Sequence, residues 1–418
     1  MLRRLISSVL AFAVMAAGFA AFQVSAASEA DVPDTNRTGL AFGEVELIEY
    51  PDGVRYIPDG STFHVSGYQP ANPLSLFNEN TRNFYDILTA DEKRAYDMMV
   101  NALEADHTVE IVDMPGIDQL YTPARAYCAL IADHPEYFWL YGLGFGYIKE
   151  DDGTISDIDV RFNYCAGQSA KNIESNYTKL MKTVAEVVGE AEQYDSDYDK
   201  IKYFATYISD KVTYNDNAAA VGLPSNAAYA NCWNAYGGLI TGDGVCEAYA
   251  EAFKLLCDKA GIPCVSMYST DHEWNAVKLD GKWYYVDVTW IDTENKDTYR
   301  YDQWLAVGTV SAKKNDNSIG SHTQNPNTIL VNYESKFTYP KISALDYGAV
   351  VSGEFILGDV DGSGEEPNND DLIILAQYLA NWDVDINYEA ANVDGDPNGN
   401  VNNDDLIRLA QILAGWTF

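Results

Sequence analysis

The stretch Gly244-Val245-Cys246-Glu247, followed by His272-Glu273-Trp274-Asn275 and Val286-Asp287-Val288-Thr289-Trp290, decides how this chain is interpreted. It places a thiol, an imidazole and a carboxylate in this order. A thiol attacks a carbonyl group well when an imidazole takes its proton and a carboxylate holds that imidazole. Everything else depends on whether these three side chains meet in space.

Cys246 is predicted to lie in the first turn of a helix over residues 245–260. The apolar stripe of this helix consists of Val245, Tyr249, Phe253 and Leu256. Gly261 ends the helix, and Pro263 prevents its continuation. Free backbone N–H groups and the helix dipole favour a thiolate at this position. The alternative is a small buried hydrophobic residue, which is a common role for cysteine.

A β-hairpin is predicted next, because two β-rich runs, 274–279 and 282–290, flank Asp280-Gly281. A two-residue turn places Trp274 opposite Asp287. His272 then lies on the same face as Asp287, as a diagonal neighbour roughly 7 to 8 Å away at the backbone. A slip of one residue would separate the two side chains.

The histidine and the aspartate also have ordinary interpretations. A lone histidine is usually a surface group or a satisfied core group. Asp287 within an apolar strand is harder to dismiss, because a buried carboxylate needs a partner. The other histidines lack such a placement, although His322 follows the site and could lie near it; they are His64, His107, His134 and His322.

These motifs resemble the bacterial transglutaminase-like domains, relatives of papain-type cysteine proteases. The resemblance covers about residues 195–340 and is carried by Tyr236-Gly237-Gly238-Leu239, Gly242-Asp243-Gly244-Val245-Cys246-Glu247, Tyr249-Ala250, Ala260-Gly261-Ile262-Pro263-Cys264, His272-Glu273-Trp274-Asn275, Asp280-Gly281-Lys282-Trp283-Tyr284 and Asp287-Val288-Thr289-Trp290. It implies Cys246 as nucleophile, His272 as general base and Asp287 as its orienting partner. Tyr236 is the candidate oxyanion side chain. Ala248 departs from the family, where glycine is frequent.

The expected fold class is α+β. A papain/transglutaminase-like core, in which a helix carries the cysteine against an antiparallel sheet, is preceded by an α+β region. That region has helical spacing from Arg82 onward with a helix-start signal at Thr89 inside it, a hairpin over 138–164 and two amphipathic helices. A small all-α calcium-binding module follows. The predicted segments are a signal peptide 1–26, an N-terminal region 27–190, a catalytic domain 191–340, a linker 341–357 and a C-terminal module 358–418.

The N-terminus predicts export. Leu2-Arg3-Arg4, the apolar run 10–22 and Val24-Ser25-Ala26 have the order of a cleaved signal peptide, and a membrane anchor is the alternative. A net charge of −36 argues against nucleic acid and anionic membranes as partners. Six cysteines are too few for a disulfide scaffold, although Cys257 and Cys264 could pair.

The last sixty or so residues contain a repeat, since Asn368 to Ala380 matches Asn402 to Ala414. Each copy follows an acidic loop with the oxygen spacing of a calcium site, and the first loop is one residue longer than the twelve-residue pattern. The candidate ligands are Asp359, Asp361, Ser363 and Asp371 in the first loop, and Asp394, Asp396, Asn398, Asn402 and Asp405 in the second.

This tandem pattern resembles the dockerin module of cellulosomal proteins. The resemblance implies two Ca²⁺ ions and a cohesin domain on a scaffold as partner, which places the protein outside the cell in a polysaccharide-degrading assembly. Asn369-Asp370 and Asn403-Asp404 are candidate cohesin contacts. Because the two helices are nearly identical, cohesin could engage either copy.

The first hypothesis is therefore an exported, cellulosome-associated cysteine acyl-transfer enzyme that hydrolyses amide bonds in a protein or peptide substrate. Water is the abundant acceptor outside a cell, which favours hydrolysis over cross-linking. The alternatives are a protein cross-linking transglutaminase and a catalytically silent binding module with the same fold. A glycosidase in the front half lacks an identifiable carboxylate pair.

Overall fold

The computed structural model describes residues 46–49, 81–149, 154–221, 228–269, 272–292, 299–316, 322, 337–343, 345–348, 356–363, 366–382, 384, 386–396 and 399–414. The predicted signal peptide lies outside the described residues, as does the candidate calcium ligand Asn398. Within the described part of the chain, no helix is long and apolar enough to cross a bilayer.

The front half is a four-stranded sheet with helices packed on it. The sheet has the order β1-β3-β4-β2, and the predicted hairpin is its central antiparallel pair. The first helix begins where the sequence predicts, because Thr89 and Glu92 form a reciprocal capping box. The elements are β1 (Glu46–Glu49), α1 (Ala90–Ala105), β2 (Ile111–Asp113), α2 (Tyr121–Asp133), β3 (Leu140–Lys149), β4 (Ile155–Tyr164), α3 (Ile173–Ala191) and α4 (Asp197–Lys211).

The second half places a helix against an antiparallel sheet of order β10-β9-β8-β7. A short parallel pair, β5 with β6, precedes that helix. The elements are β5 (Thr213–Tyr214), α5 (Asp216–Val221), β6 (Asp243–Gly244), α6 (Cys246–Ala260), β7 (Cys264–Tyr268), β8 (Glu273–Leu279), β9 (Lys282–Val286), α7 (Val288–Ile291), α8 (Tyr301–Trp304), β10 (Leu305–Val307) and α9 (Thr309–Asp316).

Helix α6 has the ends that the sequence predicts. Val245 is its extended N-cap and Cys246 is its first residue. Gly261 ends the helix in the left-handed region, with φ of 76°. The cysteine therefore lies at the helix N-terminus.

The predicted hairpin register is present, with Leu279 paired to Lys282 and Asn275 to Val286. Asp280 and Gly281 both have positive φ, as a tight two-residue turn requires. The prediction that the second strand continues to Trp290 is wrong. The strand ends at Val286, and the Asp287 carboxylate accepts the Trp290 N–H at 2.9 Å, which caps the short helix α7.

A five-residue π-helix over Gly237–Thr241 packs very closely on α6. A Cβ added at Gly238 would lie 2.3 Å from the Ala248 carbonyl oxygen. Likewise, a Cβ at Gly244 would lie 2.4 Å from the Ala248 methyl group. Only glycine fits at these two positions, so the chain before Cys246 is held tightly against its helix.

The two halves share one hydrophobic core, which runs from Phe84 in the front half to Ile342 after the second sheet. The Phe84 and Phe337 rings meet edge to face at 5.2 Å. Residues 341–343 and 345–347 also pack on this unit, although the sequence predicts a linker there. The Ser343 backbone N–H donates to the Trp283 carbonyl at 2.8 Å, and that of Tyr347 to the Ala306 carbonyl at 2.9 Å.

The C-terminal segment has a small core of its own, around Val360, Leu375 and Leu409. Asn368 and Asn402 cap the two repeated helices through reciprocal boxes with Asp371 and Asp405. The elements are α10 (Asn369–Leu379), α11 (Tyr388–Ala391) and α12 (Asn403–Leu413).

Candidate active site

Cys246 is almost enclosed, with 7% of its surface exposed. Burial raises the pKa of its thiol well above the ordinary value, and the nearby Glu247 adds to this, while a hydrogen bond with the Glu273 backbone opposes it. Burial therefore opposes the thiolate that the helix N-terminus is expected to favour.

His272 and Asp287 are in direct contact. His272 Nε2 lies 2.6 Å from Asp287 Oδ2, and both side chains are buried. Burial raises the pKa of Asp287, but the charges and hydrogen bonds of His272 and His322 outweigh this and hold it well below its usual range. Because a carboxylate only accepts hydrogen bonds, Nε2 carries the proton and Nδ1 of a neutral His272 is left as a base.

A second imidazole contacts the same carboxylate. His322 Nε2 lies 2.8 Å from Asp287 Oδ2, and its ring stacks on Trp304 with centroids 4.0 Å apart. The sequence indicated only that His322 could lie near the site, because no turn or helical spacing links it to the hairpin. The three groups have the composition of a metal site with two histidines and one carboxylate. However, Oδ2 lies at hydrogen-bond distance from both nitrogens, which suits a shared proton network.

Tyr236 does not have the surroundings predicted for an oxyanion side chain. Its hydroxyl donates to Asn176 Oδ1 on α3 at 3.2 Å, and its ring stacks on Phe138 at 4.8 Å. The tyrosine therefore joins the π-helix to the front half. The Cys246 backbone N–H lies in the first turn of α6, where N–H groups have no acceptor within the helix.

Residues 182–288 match the family model described as the transglutaminase-like superfamily. The chain contains a transglutaminase-like domain. The match ends just after Asp287, so it includes Cys246 and the His272–Asp287 pair and leaves out His322.

Curated relatives of this domain include the kyphoscoliosis peptidase of Mus musculus, 36% identical over 80 residues, and that of Homo sapiens, 35% identical over 80 residues. Each alignment covers 14% of this chain and 12% of the relative, so the chain spans a small part of their length.

Two solved structures are similar at low overlap. One is described as a transglutaminase, with 18% identity, 38% of this chain and 48% of that chain covered, and a TM-score of 0.26. The other is a provisionally assigned cysteine protease from Cytophaga hutchinsonii, with 14% identity, coverage of 35% and 61%, and a TM-score of 0.22. Neither overlap supports a statement about the fold.

Three further carboxyl groups form a cluster on helix α6 and strand β8 of the transglutaminase-like domain. Glu247 and Glu273 are each 1% exposed, and Glu251 lies one helical turn beyond Glu247. Burial raises the pKa of all three, and that of Glu251 to about 8. The sequence interpretation missed this cluster, although acidic residues within buried apolar runs were a signal that could have revealed it.

The thiols of the transglutaminase-like domain are all reduced. Cys257 and Cys264 are free and buried, so the disulfide considered from the sequence is absent. A structural disulfide thus makes no contribution to the stability of α6 against β7.

In the first acidic loop of the C-terminal segment, one carboxylate oxygen from each of Asp359, Asp361 and Asp371 lies within 4.8 Å of the other two. Asp371 also accepts the Asp361 N–H at 3.0 Å, which closes the loop onto its helix. Carboxylates converging at the start of a helix suit a hard cation such as Ca²⁺. Ser363 donates to Asp359 Oδ1 at 3.1 Å, so its hydroxyl faces the same centre.

In the second loop Asp405 accepts the Asp394 N–H at 3.0 Å, which closes this loop onto α12. Burial and the neighbouring Asp394 raise the pKa of Asp405. Asn402, predicted as a ligand, uses its side-chain oxygen to cap α12 by accepting from Asp404 at 2.8 Å. Asp396 meets Lys341 Nζ at 2.9 Å.

Proposed function

We propose that this protein is a cysteine acyl-transfer enzyme that hydrolyses amide bonds in protein or peptide substrates. The observation that carries the proposal is the buried 2.6 Å contact of His272 with Asp287, beside a helix that begins at Cys246. The match of residues 182–288 to the transglutaminase-like superfamily supports the same chemistry.

In this mechanism Nδ1 of His272 takes the proton of the Cys246 thiol while the sulfur attacks the substrate carbonyl carbon. Asp287 fixes the ring orientation and stabilises the imidazolium. The Cys246 N–H stabilises the oxyanion that forms. The leaving amine then takes the imidazolium proton, and a thioester remains on the sulfur.

Water completes the cycle. His272 removes a proton from the water as its oxygen attacks the thioester, and returns that proton to the departing sulfur. The product is a carboxylic acid. If an amine replaces water at this step, the product is a new amide, so hydrolysis and cross-linking differ only in the acceptor.

Alkylation by iodoacetamide tests the proposal. We expect selective labelling of Cys246, located by peptide mass spectrometry, and much slower labelling after His272→Ala. His107→Ala is the matched control, because that partly buried imidazole contacts Glu174 at 2.9 Å in the front half. Equally slow labelling in the wild type and in His272→Ala would rule out an activated thiol.

A catalytically silent binding module is the second candidate. It is favoured by the enclosure of Cys246, since burial raises the pKa of the thiol and limits access to it. In that case labelling would be slow and would not depend on His272.

We also propose that the protein is exported and that its C-terminal segment is a dockerin. The support is the repeated loop and helix, the matching caps Asn368 and Asn402, and the converging carboxylates of the first loop. Two Ca²⁺ ions would be held by the acidic loops and would order the helix starts. The partner would be a cohesin domain of a cellulosomal scaffold.

A further inference from the structure

A cavity of about 50 Å³ lies between the front half and helix α6. Four aromatic side chains line it, together with two carboxyl groups: Tyr137, Phe138, Tyr141, Trp233, Glu247 and Glu251. Since one water molecule needs about 10–15 Å³ on this scale, the space admits a group of a few heavy atoms. Helix α6, whose first residue is Cys246, contributes Glu247 and Glu251 to the lining.

One of the lining carboxyl groups lacks a partner. Glu247 Oε2 is fully buried and has no hydrogen-bond partner among the described residues. Glu251 accepts the Ala235 N–H at 2.9 Å. A buried carboxyl oxygen without a partner is costly. Such an arrangement is stable when a ligand completes it.

The surroundings of the two carboxyl groups are acidic and aromatic. Glu273 faces them from β8, and burial and its charge raise the pKa of Glu247. The nearest lysine on the same helix, Lys254, is engaged by Asp258 at 2.9 Å and by the Cys264 carbonyl at 3.0 Å. Aromatic faces and carboxylates together bind cations.

The remaining titratable groups that line the cavity are His134, Tyr137, Tyr141 and Cys165. His134 Nδ1 contacts Glu136 at 2.8 Å, so its polar edge is directed to that carboxylate. Burial raises the pKa of Tyr137 and Cys165, which keeps both neutral. The two glutamates are therefore the acidic groups that the cavity offers to a cation.

We propose that this cavity is a specificity pocket for a basic side chain of a peptide substrate, whose ammonium or guanidinium group contacts Glu247 and Glu251. Its role in substrate choice rests on the proposed function, whereas the binding itself does not. The chain's net charge of −36 favours approach of basic peptides at long range. The front half then supplies one wall of the pocket.

Binding should release protons. Burial raises the pKa of Glu251 to about 8, so this group is largely protonated at pH 7 and must ionise to pair with a cation. Affinity should therefore increase from pH 6 to about pH 9, and fall only when the lysine side chain loses its own proton near pH 10.4.

The test uses titration calorimetry on the whole protein with N-acetyl-lysine methylamide, its arginine analogue and the uncharged norleucine analogue. We expect saturable binding of at least one cationic compound, much weaker binding of the norleucine compound, and affinity that increases with pH. The double variant Glu247→Gln/Glu251→Gln should weaken cation binding about 10- to 100-fold, the loss of one or two charged hydrogen bonds.

Glu186→Gln, an exposed change on α3, is the matched control and should leave affinity unchanged. Glutamine has the shape of a protonated glutamic acid, and a thermal melt checks that the double variant folds. The proposal would be disproved if the norleucine compound bound as tightly as the cationic compounds, or if the folded double variant kept the full affinity of the wild type for them. Alkylation of Cys246 is measured separately, so an unreactive thiol with intact cation binding would count against the enzyme alone.

Discussion

At the scale of single residues, the carboxylate of Asp287 accepts three hydrogen bonds. It accepts from His272 at 2.6 Å, from His322 at 2.8 Å and from the Trp290 N–H at 2.9 Å. The first bond orients the general base, and the third begins a helix. The second bond, to His322, makes the carboxylate immobile, so we assign His322 as a positioning residue.

His322→Phe should retain the stacking on Trp304 and remove one donor to Asp287. A hydrogen bond to a charged group is worth about 1.5–3 kcal/mol, so we expect Cys246 alkylation to slow roughly tenfold. His107→Phe is the control. An unchanged rate would mean that His322 has a packing role alone.

At the scale of elements, local chemistry explains what the sequence predicts well. Gly261 and the apolar stripe fix the ends of α6, and Asp280-Gly281 fixes the hairpin register. The continuation of β9 was mispredicted, because an aspartate that caps a helix looks identical to one in a strand until its acceptor role is seen. His322 depends on a contact between distant segments, which no local pattern encodes, whereas the Glu247 cluster was signalled only by acidic residues within apolar runs.

The π-helix contact on α6 gives a test at this scale. Gly238→Ala places a methyl group 2.3 Å from the Ala248 oxygen, so the free energy of unfolding should fall by about 1–3 kcal/mol and Cys246 alkylation should slow. Gly189→Ala is the control on α3, where no atom lies within 4 Å of the added Cβ, and it should stabilise by about 0.5–1 kcal/mol. Equal melting temperatures for the two variants would contradict the packing described.

At the scale of the whole molecule, the C-terminal segment and the rest of the chain have separate hydrophobic cores. Two melting transitions are therefore expected in calorimetry. Removal of Ca²⁺ with EDTA should lower only the transition of the C-terminal segment, because metal bound to the native state alone adds to its stability. Asp371→Asn and Asp405→Asn should reproduce this effect one loop at a time.

Capture on immobilised cohesin checks the partner in the same samples. Binding should require Ca²⁺ and should survive mutation of either Asn369-Asp370 or Asn403-Asp404 alone. Loss of capture after mutation of one pair would disprove the two-mode idea. Identical melting curves with and without EDTA would argue against calcium in both loops.

The meeting of Phe84 with Phe337 has a consequence for how the chain folds. Arg125 also lies over the Phe337 ring at 4.3 Å while its guanidinium contacts the buried Glu92 at 3.2 Å. These contacts join the beginning and the end of the larger unit, so its core closes only after nearly all of that unit has been synthesised. Because such distant pairings carry a high entropic cost, refolding from denaturant should be slow, and residues 182–288 expressed alone should expose the core that they normally share.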